Sequence, residues 1–101
     1  MVRYCSTDVV WYAVAMSEYT RADLDRRLAN LCRILGRSVG VAGSAGRGQW
    51  YIDETPAGLC VCEVGPVVRY PLGYNHYSVY HMCRALEMAL VVARLAIRLQ
   101  R

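Results

Sequence analysis

The chain has 101 residues, of which 55% are hydrophobic and 20% are charged, and its formal net charge is +4. This hydrophobic balance argues against a disordered chain, and the length argues against two domains, so we expect a single domain over 1–101. No apolar run reaches the roughly 18 residues that a membrane span needs, and the N-terminus lacks the pattern of a signal peptide. We therefore expect a cytoplasmic protein with no membrane partner.

Five cysteines are present, at positions 5, 32, 60, 62 and 83. Their number is odd and most of them lie within apolar patterns, which predicts buried free thiols rather than a disulfide framework. A disulfide stays open as an alternative in an oxidising cell or a hyperthermophile.

The beginning of the chain predicts one strand followed by one helix. Asp8–Met16 is apolar on both alternating faces, which favours a buried strand, with a short helix as the alternative. Thr20 and Asp23 then form a capping box that opens a helix, and Gly36 ends it. The leucines of this helix form one apolar stripe: Leu24, Leu28, Leu31 and Leu35.

The rest of the chain predicts three strands and a long helix. A glycine-rich loop separates the strand Ser38–Ala42 from Gln49–Glu54, and a turn at residues 55–58 leads into Leu59–Val64. Asn75 is predicted to cap a final helix reaching towards Gln100, with Tyr74 and Val79 as a hydrophobic staple. The expected fold is α+β in the order β-α-β-β-β-α, a three-stranded antiparallel sheet with two helices packed on one face.

Chemistry-bearing residues form no strong motif. Zinc needs four convergent ligands, but Cys60 and Cys62 lie within a strand, and His76 and His81 diverge on a helix. Ser78 or Cys83 paired with a histidine has no nucleophile motif around it. We therefore predict no catalytic residue, no metal and no cofactor, and hence no enzyme.

A protein-binding surface explains the composition better. Tyr, Trp and Arg are the residues that dominate interface hot spots. Those predicted to contact a partner are Arg47, Trp50, Tyr51, Arg69, Tyr70, Tyr74 and Tyr77. The final helix carries a wider apolar arc than one sheet covers, which predicts a homodimer through Leu86, Leu90 and Ile97. Coverage of this arc by the first helix and strand of the same chain is the alternative.

Nucleic-acid binding is the alternative function. Arg26, Arg33 and Arg37 are predicted to line one face of the first helix, where they would contact phosphates. The α-β-β-β-α order from Thr20 to Arg101 resembles the double-stranded-RNA-binding domain. That family grips phosphates with basic residues at the start of its last helix, and the sequence from Asn75 to His81 has none.

The second half of the chain also resembles small phage and prophage proteins. The stretches that carry this resemblance are Gly48–Tyr51, Tyr70–Tyr74 and the helix from Tyr77 through Leu90. The resemblance implies a viral or mobile-element protein with no catalytic motif. It also implies, by analogy with anti-CRISPR proteins, binding to a protein or nucleoprotein of a host defence complex.

Overall fold

The computed structural model describes residues 19–100 and forms two helices and one hairpin. The helices are α1 (Arg21–Leu35) and α2 (Val79–Leu99), and the strands are β1 (Trp50–Thr55) and β2 (Gly58–Glu63). The α+β class is thus confirmed. The predicted strand Asp8–Met16 lies outside the described residues.

The capping box at the start of α1 forms as predicted. The Asp23 N–H donates to the Thr20 hydroxyl at 3.2 Å, and the Thr20 N–H donates to the Asp23 carboxylate at 2.9 Å. The Thr20 N–H and the Thr20 hydroxyl both donate to the Asp23 carboxylate, and these two hydrogen bonds lower the pKa of Asp23 because they favour its ionised form. Gly36 ends the helix in the left-handed region at φ 71°, where a side chain would be strained.

The hairpin between β1 and β2 also forms, with Thr55 opposite Gly58. The Thr55 hydroxyl accepts from the Ala57 N–H and donates to the Gly58 carbonyl, which closes the turn. Gly58 has φ 133°, and a Cβ on it would lie 2.9 Å from the Tyr77 carbonyl oxygen. The close approach of Tyr77 therefore requires glycine here.

The predicted third strand is wrong. Ser38–Ala42 forms only one bridge, between Val39 and Trp50, and that bridge is parallel rather than antiparallel. The glycine-rich stretch therefore does not close a hairpin, and the sheet has two strands. Val39 and Val41 are both exposed, so no buried face holds this segment in a longer pairing.

The final helix begins three residues later than predicted. Ser78, not Asn75, is the N-cap, and its hydroxyl accepts the His81 N–H. Leu59 and Tyr77 exchange backbone hydrogen bonds at 2.8 Å. Because that exchange keeps Tyr77 extended, α2 cannot begin before residue 78, and the staple from Tyr74 to Val79 does not apply.

One hydrophobic core joins both helices to one face of the hairpin, which we call the inner face. Its strand members are Trp50, Ile52, Leu59 and Val61. The helices contribute Leu24, Leu28, Leu31, Cys32, Met82, Cys83 and Leu86. The Glu87 carboxylate on α2 additionally accepts from Arg27 on α1 at 2.9 Å and from the Tyr19 hydroxyl at 3.3 Å. The hydrogen bond between Arg27 and Glu87 therefore links α1 to α2 in addition to the core.

Candidate partner-binding surfaces

Three arginines from separate parts of the chain line one groove, with a cavity of about 300 Å³. They are Arg37 after α1, Arg47 before β1 and Arg69 after β2. We call this the arginine groove. All three residues are exposed, so their guanidinium groups are accessible to a ligand.

Backbone hydrogen bonds hold each arginine in place. The Arg37 N–H donates to the Cys32 carbonyl at 2.7 Å, as part of the α1 terminus. The Gly48 N–H donates to the Val64 carbonyl at 2.8 Å, which brings Arg47 beside the end of β2. Arg69 exchanges two backbone hydrogen bonds with Glu63. The positions of the three backbones are therefore set by the fold.

Three of the four arginines of α1 differ from those of the groove in that they form ion pairs. Arg21 pairs with Asp25 and Glu54, Arg26 with Asp23, and Arg27 with Glu87. Within residues 19–100, no carboxylate forms an ion pair with Arg37, Arg47 or Arg69. The groove therefore presents guanidinium donors that the described part of the fold does not neutralise.

One carboxylate, that of Glu63, also lines the groove. It accepts a hydrogen bond from the Trp50 indole N–H at 2.7 Å, which orients it towards the core. Three guanidiniums and one carboxylate leave a formal charge of +2. The groove is thus suited to an anionic group.

The rim of the groove is apolar. Pro66 and Val67 line it, and Val67 is 75% exposed. Exposed apolar residues beside unpaired guanidiniums are typical of a contact surface. Sequence reasoning missed Val67. The signal that could have found it is an apolar residue directly after Gly65-Pro66, which follow the end of the strand.

The predicted tyrosines lie on the other side of the hairpin from the arginines. Side chains alternate between the faces of a strand, so Tyr51, opposite Cys62, lies on the outer face. Tyr70 lies close to both residues, since Tyr70 contributes to the raised pKa of Tyr51 and Cys62 contributes to the raised pKa of Tyr70. Tyr70 and Tyr74 make an edge contact with ring centroids 4.7 Å apart, and Tyr74 is 68% exposed. The predicted set is therefore split between two surfaces.

Two further members of that set are largely inside the fold. Trp50 is 7% exposed, and its ring belongs to the core. Tyr77 is half-buried against the same core, and its hydroxyl donates to the Leu72 carbonyl at 3.5 Å. The prediction that Trp50 contacts a partner is thus wrong for its ring, because the hairpin and helices already cover it.

The predicted dimer residues on α2 also include both buried and exposed side chains. Leu86 is 0% exposed and is part of the core, so its assignment to a dimer interface is wrong. Leu90 is half-buried against the core, and Ile97 is exposed. A different stripe of α2 is exposed, with spacings of four, three and four, and we call it the α2 stripe: Met88, Val92, Leu95 and Leu99.

Two of the predicted nucleic-acid residues, Arg26 and Arg33, lie seven residues apart on α1 and therefore share one face of that helix. Arg26 is ion-paired with Asp23, and Arg33 donates to the Asn30 side chain at 3.3 Å. Arg37 lies beyond the helix and lines the arginine groove instead. The structure thus brings Arg37 together with Arg47 and Arg69, although the sequence assigned them to different functions.

The described cysteines are buried, and each is a free thiol: Cys32, Cys60, Cys62 and Cys83. Burial raises the pKa of Cys32 and of Cys62 to about 11 in each case, and it raises the pKa of Cys83 as well. Such thiols stay protonated at neutral pH and are poor nucleophiles and metal ligands. No group of three histidine, cysteine or acidic side chains within residues 19–100 could hold a metal ion.

Ser78 and His81 do meet at the start of α2. The Ser78 hydroxyl lies 2.8 Å from the His81 Nδ1 atom and also accepts the His81 backbone N–H. The second hydrogen bond is that of an N-cap, in which the hydroxyl satisfies an otherwise free backbone donor. We interpret this pair as a helix cap.

Within residues 19–100, no helix combines the length and the hydrophobicity that crossing a membrane requires. Comparison with protein-family models, with curated proteins and with solved structures finds no match to this chain.

Proposed function

We propose that this chain is a non-enzymatic interaction protein that binds a protein partner through the arginine groove. The observation that carries the proposal is the convergence of Arg37, Arg47 and Arg69, without ion pairs among the described residues, on one groove with an apolar rim. Arginine is one of the residues enriched in interface hot spots. The exposed tyrosines of the outer face form a second, separate contact region.

Reversing two groove charges tests this proposal. Arg47→Glu with Arg69→Glu is expected to weaken partner binding at least tenfold, because two attractive guanidiniums become repulsive carboxylates. The measurement is affinity capture from nuclease-treated host lysate, followed by a dissociation constant for the captured protein.

The matched control is Arg26→Glu with Arg33→Glu, which changes the net charge by the same amount on α1. It is expected to bind as the wild type does. Equal capture by all three proteins would exclude the groove as the binding site.

The alternative function is nucleic-acid binding through Arg26, Arg33 and Arg37. Loss of all bound material on nuclease treatment, or loss of binding in the α1 control alone, would favour it over the proposal. A steep fall in affinity with salt would be its further signature. The ion pair between Arg26 and Asp23 makes this face less basic than the sequence implies.

Self-association through the α2 stripe is part of the proposal. Spacings of four and three repeat every seven residues, as in a coiled-coil seam that a second helix covers. Burying these side chains against a second copy would remove them from water.

Light scattering is expected to give twice the mass of one chain. Val92→Glu with Leu95→Glu is expected to give the single-chain mass with unchanged helical circular dichroism. Val41→Glu, at a valine that lies outside α2 and is also exposed, is the control that should stay dimeric. A single-chain mass for the wild type would exclude the dimer.

The phage resemblance adds the proposal that the bound protein belongs to a host defence complex in the cytoplasm. The identity of the captured partner is the test of that proposal.

A further inference from the structure

The geometry points to an acidic peptide segment as the ligand of the arginine groove: two carboxylate side chains that flank an apolar one. This inference rests on the proposed function and deepens it by naming the chemistry of the partner. It follows from the charge of the groove, its rim, its size and the faces on which the arginines and tyrosines lie.

Charge sets the number of acidic groups. The three guanidiniums and the Glu63 carboxylate leave a formal charge of +2 in the groove. Two side-chain carboxylates neutralise this charge, and each can accept two parallel N–H donors from a guanidinium. A densely charged polyanion would bring further negative charge close to Glu63.

The rim sets the apolar element. Pro66 and Val67 line the groove and are exposed beside the arginines, so they can contact an aliphatic side chain of a ligand. They offer no aromatic ring on which a nucleobase could stack. A segment with an apolar residue between two acidic ones would place its carboxylates against the guanidiniums and its apolar side chain against the rim.

The opposite placement of the tyrosines separates a peptide from a nucleic acid. Single-stranded nucleic acids are bound by aromatic rings and basic groups that share one surface. Here Arg69 lines the groove, whereas Tyr51 and Tyr70 lie on the outer face of the hairpin, near Cys62. A single strand therefore cannot use the arginines and these rings on one face.

The size of the cavity agrees with a short contact. Its volume of about 300 Å³ is at the lower end for sites that enclose a whole small molecule. A groove of this size accommodates two or three side chains of a longer segment, with the rest of the segment outside.

The test uses a labelled synthetic peptide, Gly-Ser-Asp-Leu-Asp-Ser-Gly, titrated into the full chain. NMR is expected to show shifts of the Arg37, Arg47 and Arg69 side-chain N–H signals and of the Val67 methyls. An asparagine-for-aspartate peptide is expected to bind at least tenfold more weakly, and a serine-for-leucine peptide severalfold more weakly. Arg47→Glu with Arg69→Glu is expected to abolish the shifts.

Two competitors show whether the groove prefers carboxylates or phosphates. If oligothymidine or inorganic phosphate displaces the peptide at a lower concentration than the unlabelled peptide does, the ligand is a phosphate and the inference is wrong. Absence of peptide binding, or shifts confined to other surfaces, also overturns it. The proposed function fails separately, when the groove reversal leaves capture of the partner unchanged.

Discussion

Leu86→Ala is expected to lower the free energy of unfolding by about 2–5 kcal/mol, because it removes a fully buried side chain and leaves a cavity between α1, α2 and the hairpin. A domain of this length has a total stability of about 5–15 kcal/mol, so this loss is a large fraction of it. The measurement is urea unfolding followed by circular dichroism.

Leu95→Ala on the same helix is the matched control. Leu95 is 50% exposed in the single chain, so the same truncation is expected to cost less than about 1 kcal/mol at protein concentrations where the chain is monomeric. Equal losses for the two variants would mean that the distal half of α2 is as well covered as its first half, contrary to the structure.

Stability is expected to fall steeply above about pH 9, because the thiols of Cys32 and Cys62 have a pKa of about 11 in the folded chain. In the unfolded chain these thiols lose their protons near their ordinary pKa of about 8.5. Between these two pKa values the folded state holds protons that the unfolded state has released. Rising pH therefore favours unfolding, by up to about 1.4 kcal/mol per pH unit for each thiol.

Urea unfolding at pH 7, 9 and 10.5 in the presence of a reductant measures this effect. The double variant Cys32→Ala with Cys62→Ala is expected to be less stable at pH 7 but to lose less stability on going to pH 10.5. Tyr51 and Tyr70, whose pKa values are also raised by burial, account for part of the remaining loss in both proteins. Parallel pH dependences in wild type and variant would contradict the assignment to the thiols.

Elements with a complete local signal were predictable from the sequence. The capping box from Thr20 to Asp23 and the terminal Gly36 fix both ends of α1, since each uses contacts within four residues. The turn at Pro56 and Gly58 fixes the hairpin for the same reason. These features do not depend on the rest of the chain.

Elements that depend on distant contacts were not predictable. Ser38–Ala42 has the alternation of a strand, but a strand needs a partner and a buried face, and Val41 remains exposed. The start of α2 was misplaced because Asn75 and Ser78 are both good caps. Only the pairing of Leu59 with Tyr77 decides between them.

The candidate site was predictable in its residue types but not in its assembly. Arg47 and Arg69 were correctly placed together, whereas Arg37 joins them only because α1 ends beside the hairpin. The tyrosines next to them in sequence lie on the opposite face, since residues 69 and 70 alternate across the extended backbone. Neighbours in sequence were therefore taken for neighbours in space.

Site-specific photo-crosslinking shows whether a partner protein binds in the arginine groove. A photoreactive phenylalanine analogue replaces Val67 at the groove rim or, in separate proteins, Tyr74 on the outer face or Val92 on the α2 stripe. We expect a covalent adduct with another protein from position 67 and an adduct with a second copy from position 92. An adduct with another protein that forms from position 74 or 92, with none from position 67, would contradict binding in the arginine groove.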